Sequence, residues 1–227
     1  MTSQNSTPDP DAEARRQARF SNRRDRSRGE ILDAAREVVL EKGVAGTTLA
    51  AVARAAGMSK TALYYYFPSK DALLFELTFQ IHQARAQEVH DAVAETGSAP
   101  EALGALIDTL VKGYAARLDD FRLAFLYNQT ATSGQASVTP EQFARFRPLN
   151  DLALAGTAER LGQVGETRAG VKPRLLAFLA QMAAVGMLTF KSNVEAIEDP
   201  LLYSDDEIVA ALIRIFSAAA EPVSKTK

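Results

Sequence analysis

The sequence predicts an all-α protein of about nine helices, with an N-terminal three-helix helix-turn-helix domain followed by a larger helical domain. Three observations predict it. No stretch alternates polar and apolar residues with period two over a useful length. Helix-start signals recur: Ser27 with Glu30, Thr139 with Gln142 and Ser204 with Glu207 each match the reciprocal capping box. Finally, residues 47–70, TTLAAVARAAGMSKTALYYYFPSK, read as two short amphipathic stretches hinged at Gly57.

The predicted helices fall near 28–42, 48–56, 60–67, 69–95, 100–118, 120–131, 140–163, 171–193 and 205–219. Ser27 and Glu30 open the first. Thr47 is the expected cap of the second, where Leu49, Val52, Ala53 and Ala56 recur at helical spacing and form a small, apolar stripe. Gly57 suits the left-handed backbone that ends a helix, and Ser59 follows as the cap of the third. On a wheel of 100° per residue Leu63 and Phe67 fall together and are buried. Thr61 and Tyr65 lie nearly opposite, Ala62 and Tyr64 flank them, and Tyr66 lies at the edge. Three consecutive tyrosines cannot all enter one core. Exposed ones offer a ring for sugar and thymine-methyl contact and a hydroxyl for phosphate.

Ser69 is the expected cap of a long helix, and Lys70 beside it is placed for a backbone phosphate. Ser98 with Glu101 is a poorer capping match, with Pro100 between them. Pro140 takes the favoured first position after Thr139.

These residues carry a resemblance. Ile31 to Ala35, Gly43, Thr47-Thr48, Val52-Ala53, Ala56-Gly57, Ser59-Lys60, Leu63-Tyr64, Tyr66-Phe67, Ser69-Lys70 and Ala72 to Leu74 resemble the DNA-binding domain of the TetR family of bacterial transcriptional regulators. The resemblance spans about Gly29 to Leu74. It implies that the turn and recognition helix face the major groove, through Lys60, Thr61, Ala62, Tyr64 and Tyr65. It also implies backbone contact from Thr47, Tyr66 and Lys70. Tyr65 stands where the family is variable. By the same resemblance, the larger domain binds a small molecule and dimerises, and repression is the commoner mode of regulation.

Composition agrees with a globular chain: 227 residues, 47% hydrophobic and 24% charged. Cysteine is absent, which removes disulfide and thiol chemistry. No apolar run approaches the roughly 18 residues of a membrane span, and the polar start predicts no secretory signal, so the expectation is a cytoplasmic protein with no membrane partner. The net charge of −2 hides an asymmetry: residues 1–70 hold 12 Lys/Arg against 8 Asp/Glu, whereas residues 71–227 hold 14 against 20. Positive charge gathers in the part expected to meet DNA.

The expected domains are a disordered basic arm over 1–26, the helix-turn-helix domain over 27–77, a ligand-binding and dimerisation domain over 78–221, and a tail over 222–227. Arg15, Arg16, Arg19, Arg23, Arg24, Arg26 and Arg28 supply the arm's charge; a solvated tail without a sequence role is an equally good reading. Polar residues in apolar helical surroundings, His82, Tyr114, Asn128, Gln129 and Arg145, are the candidate ligand contacts. Apolar residues spread too widely for one buried stripe mark the last two helices as the dimer surface, through Leu175, Phe178, Met182, Val185, Ile208, Leu212, Ile215 and Phe216.

An enzyme and a purely protein-binding helical module are the rival classes. His82 and His90 lie about 12 Å apart along one helix, too far to share a metal. Neither a phosphate-cradling glycine loop nor a nucleophile elbow is present. The expectation is therefore no catalytic residue, no metal and no cofactor. A protein-binding module leaves the outward Lys, Thr and Tyr set without a purpose. The expected partners are double-stranded operator DNA, a second copy of the chain and a small-molecule ligand.

Overall fold

The computed structural model of the chain describes residues 10–124, 139–165, 167–168, 170–196 and 203–223. Among these the regular elements are all helical: α1 (Pro10–Gly46), α2 (Leu49–Ala55), α3 (Lys60–Tyr66), α4 (Lys70–Ala94), α5 (Ala99–Ala115), α6 (118–124), α7 (Pro140–Ala144), α8 (Phe146–Val164), α9 (Pro173–Ala196) and α10 (Asp205–Ala220). The chain divides into two compact units, 1–77 and 78–227.

In the first unit, α1 begins at Pro10, well before the predicted start at Ser27. Residues 10–26 therefore do not form the unstructured arm expected of them. The reason is local. Ala, Arg, Gln and Glu dominate this stretch, all are strong helix formers, and a helix nucleated over 28–42 propagates cheaply through them. Ser27 lies inside the helix and Glu30 pairs with Arg26 instead of closing a capping box. Gly43 interrupts the far end, at φ 70° and ψ 167°.

Leu49, Val52 and Ala53 of α2, Leu63 of α3 and Phe67 are buried with Ile31, Leu32, Ala35, Val38 and Val39 of α1. Gly57 turns the chain at φ 64°. Ser59 Oγ accepts from the Ala62 amide at 3.1 Å and opens α3. Ser69 Oγ does the same for α4 through the Ala72 amide at 3.0 Å.

The second unit is built around α5, whose Leu103, Leu106, Ile107, Leu110 and Val111 recur at helical spacing and are all buried. Each such side chain stabilises the fold by about 1.5–3 kcal/mol relative to exposure. Helix α5 packs against α8, α9 and α10. Capping boxes open α7 at Thr139 and Gln142 and α10 at Ser204 and Glu207. The predicted helix 140–163 is broken at Arg145. Pro148, three residues on, has no amide to donate to the Ala144 carbonyl, and its ring crowds that carbonyl. Of the predicted helix 120–131, only the part through 124 lies within the described residues.

Helix α9 departs from the expectation on apolar length. Pro173–Val194 is long and apolar enough, by composition alone, to cross a membrane, although Arg174, Gln181 and Lys191 interrupt the apolar run. Its Leu176, Ala177, Ala180, Ala184 and Leu188 enter the core. Its opposite flank is exposed: Leu175, Phe178, Leu179, Met182 and Phe190 each keep 41–58% of their surface.

Candidate nucleic-acid interface and cavity

Helix α3 presents the outward face that its sequence predicts. Leu63 is fully buried, whereas Lys60, Thr61, Tyr64 and Tyr65 are exposed, Tyr65 most of all at 71%. Ala62 and Tyr66 are half-buried. The Lys60 ammonium lies 5.7 Å from the centre of the Tyr64 ring, and Tyr65 meets Tyr66 edge-on at 5.3 Å. Arg24, on the α1 extension, stands 5.8 Å from the Tyr65 ring. The basic extension and the recognition helix thus share one surface of the first unit. Arg15, Arg19, Arg23 and Arg26 are also exposed along that extension.

Three assigned residues behave differently from expectation. Thr47 is 1% exposed, and its hydroxyl donates to the Gly43 carbonyl at 2.8 Å. It neither caps α2 nor offers a group to a phosphate. The cap is Thr48, which is exposed and whose Oγ accepts from the Ala51 amide at 3.2 Å. Both threonines lie in the non-helical link between α1 and α2, Thr48 with extended backbone at φ −127° and ψ 149°, and successive side chains of an extended segment point to opposite sides. Arg28 is not arm charge: it lies 4.8 Å from the Phe67 ring, pairs with Glu76 at 3.3 Å and donates to the Tyr66 carbonyl at 3.5 Å. It holds the end of α3. Lys70 is half-buried and its ammonium donates to the Ala45 carbonyl at 3.2 Å, which leaves two of its three donors for other partners.

Residues 31–77 match the family model described as bacterial regulatory proteins, tetR family. Over that stretch the chain is similar to the TetR family. The transcriptional regulator TtgR of Pseudomonas putida is 34% identical over 90 residues, covering 37% of this chain and 43% of that protein. RutR of Escherichia coli K12 is 49% identical over 51 residues, covering 22% of this chain and 24% of that protein. The chain thus matches less than half the length of these relatives.

Solved structures extend the likeness of fold to most of the chain. FadR of Bacillus subtilis, crystallised with stearoyl-CoA, superposes with a TM-score of 0.66 at 19% identity, over 84% of this chain and 97% of that one. A TetR/AcrR-family regulator from Thermobifida fusca gives 0.62 at 24% identity, over 89% and 100%. At such identities the likeness is of fold alone.

In the second unit, His82 and Tyr114 line a cavity of about 350 Å³. Burial alone holds His82 down at about 4, and burial pushes the Tyr114 phenol up to about 12 against the opposing pull of Arg85. Both side chains are therefore neutral near pH 7. Arg145 does not line the cavity; its guanidinium lies 4.1 Å from the Phe79 ring, where the break before α8 turns it. Asn128 and Gln129 fall outside the described residues.

The cavity wall also carries residues that sequence reasoning did not single out. Arg85 is 4% exposed and its guanidinium lies 4.9 Å from the Tyr114 ring centre. It is ion-paired with Glu88, and among the described residues its Nε has no hydrogen-bond partner. Gln181 Oε1 is likewise buried without a partner among them. One sequence signal was available: an arginine one helical turn from Ile81 and beside Ala86 and Val89 lies on a buried stripe.

Of the assigned dimer residues, Leu175, Phe178, Met182 and Ile215 are exposed. Val185, Ile208, Leu212 and Phe216 are half-buried and pack against the unit's own core. The broad apolar face of α10 is consumed largely by α5, where Ile213 also reaches Gly104. Those four pack against the chain's own core and keep part of their surface exposed.

Proposed function

We propose that the chain is a homodimeric transcriptional repressor that leaves a palindromic operator when a small molecule binds its C-terminal domain. The solvent face of α3 carries this reading: Lys60, Thr61, Tyr64 and Tyr65 are exposed together while Leu63 and Phe67 are sequestered in the core. These side chains supply an ammonium, a hydroxyl and two aromatic phenols, which suit base edges, thymine methyls and phosphates. The Arg-rich extension beside Tyr65 adds charge for flanking phosphates.

The proposed domains follow the same division: helix-turn-helix over 27–77, ligand binding and dimerisation over 78–221, with 222–227 as a tail. The exposed stripe of Leu175, Phe178, Leu179 and Met182 on α9, with Ile215 of α10, is the proposed dimer contact. A two-fold pair spaces its recognition helices one DNA turn apart, roughly 34–36 Å, and calls for a two-fold-related operator. A second copy also accounts for the apolar flank of α9 without a membrane, and a cytoplasmic regulator without catalytic activity follows. Ligand release requires that the small molecule bind the two dimer states with different affinity.

The test is binding of the purified full chain to the DNA flanking its own coding sequence, measured across a salt series. A sequence-selective complex that weakens linearly in log salt supports the reading. Equal affinity for that DNA and for scrambled duplex of the same length would reject it.

A further inference from the structure

Among the described residues, the cavity in the second unit has one charged side chain on its wall, Arg85, because His82 is neutral there and neither Glu88 nor Asp120 lines it. Arg85 is buried to 4% exposure and leaves Nε without a partner among the described residues. A buried guanidinium with an unused donor is costly unless something accepts from it. Its position is also built into the backbone. A Cβ at Gly113 would stand 1.8 Å from Arg85 Nη1 and 2.7 Å from Cζ, so the guanidinium occupies space that only glycine leaves open on α5. Glu88 pairs with Arg85 and also with the exposed Arg117, so its charge is divided between two arginines. The rest of the wall is largely apolar, through Leu110, Phe146, Leu149 and Val185 among others.

We propose that this cavity takes an apolar molecule bearing a single carboxylate, whose oxygen accepts from Arg85 Nε while its body lies against Leu110, Phe146, Leu149 and Val185. The proposal rests on the ligand-responsive reading above and names the ligand's chemical class. Nη1 stays with Glu88, and the carboxylate takes the donor that α4 leaves unused. A neutral molecule of the same shape gains the apolar contact but not the charge-assisted hydrogen bond.

The probes are decanoate, decan-1-ol and decylamine, titrated calorimetrically into the full chain at pH 7. Decanoate is expected to bind about tenfold tighter than decanol, the size of one charged hydrogen bond, with decylamine weakest. Arg85→Met is expected to erase the gap between decanoate and decanol while decanol binding persists, which reads an intact cavity. Gly113→Ala is expected to narrow the same gap by displacing the guanidinium. Arg85→Lys, which keeps the charge, is expected to restore part of it. Decanol or decylamine binding as tightly as decanoate would overturn the proposal, as would a gap that survives in both Arg85→Met and Gly113→Ala. Failure of all three probes to bind would overturn it too. The DNA complex is read separately. Arg85-dependent decanoate binding that leaves the complex intact keeps the ligand class and removes ligand release. Release by decanol with no preference for decanoate does the reverse.

Discussion

Thr47 and Thr48 show how much one residue of offset decides. Thr47 is buried and donates to Gly43, whereas Thr48 is exposed and caps α2. Thr47→Val is therefore expected to cost about 1 kcal/mol of stability, the typical worth of one hydrogen bond. It should leave the salt slope of DNA binding unchanged in the folded protein; denaturant unfolding paired with a binding titration checks both. Lys70→Ala should act the other way. Loss of one phosphate contact is expected to weaken binding to every sequence alike and to reduce the salt slope by about 1. An unchanged slope would confine Lys70 to its bond with the Ala45 carbonyl.

At the scale of elements, the helix starts at Ser59, Ser69, Thr139 and Ser204 were legible because a cap is a contact between residues three apart. The start of α1 was not, since Ser27 and Glu30 satisfy the capping pattern while the chain before them is itself a good helix former. The break at Arg145 follows from Pro148 and was readable, but the continuous polar and apolar pattern on both sides masked it. Crossings of elements were not readable at all. An added Cβ at Gly156 of α8 would stand 2.9 Å from Cγ1 of the fully buried Val93 on α4. Gly156→Ala is accordingly expected to destabilise the chain by about 1–3 kcal/mol despite its better helix propensity. A rise in thermal midpoint in that variant would show that the two helices part freely.

At the scale of the molecule, the exposed flank of α9 predicts the assembly. Phe178→Glu places a charge in the centre of the proposed contact and is expected to shift the chain from dimer to monomer in analytical ultracentrifugation. Sequence-selective DNA affinity should fall with it, because two half-sites are no longer bound together. Acid stability reports on the second unit. His82 is held down to about 4 when folded, against 6.5 when unfolded, so between those values the unfolded chain binds a proton that the folded chain refuses. The stability tied to this neutral histidine is fully present above pH 6.5 and is lost as pH falls toward 4, by at most about 3 kcal/mol. His82→Leu should flatten that part of the profile in urea melts taken across the window.

By itself the sequence determined the helical class, the hinge at Gly57, the two faces of α3 and the TetR-family resemblance. All of these rest on contacts within one or two helical turns, where residue spacing and side-chain chemistry suffice. Only the tertiary structure decided that Thr47 turns inward, that Arg28 anchors α3, that half of the assigned dimer residues pack against the chain's own core, and that Arg85, on a cavity wall, sets its guanidinium in the space left by Gly113. Arg85 and Gly113 are 28 positions apart on different helices. No periodicity links them, because which side chain fills a gap between helices depends on how the helices cross.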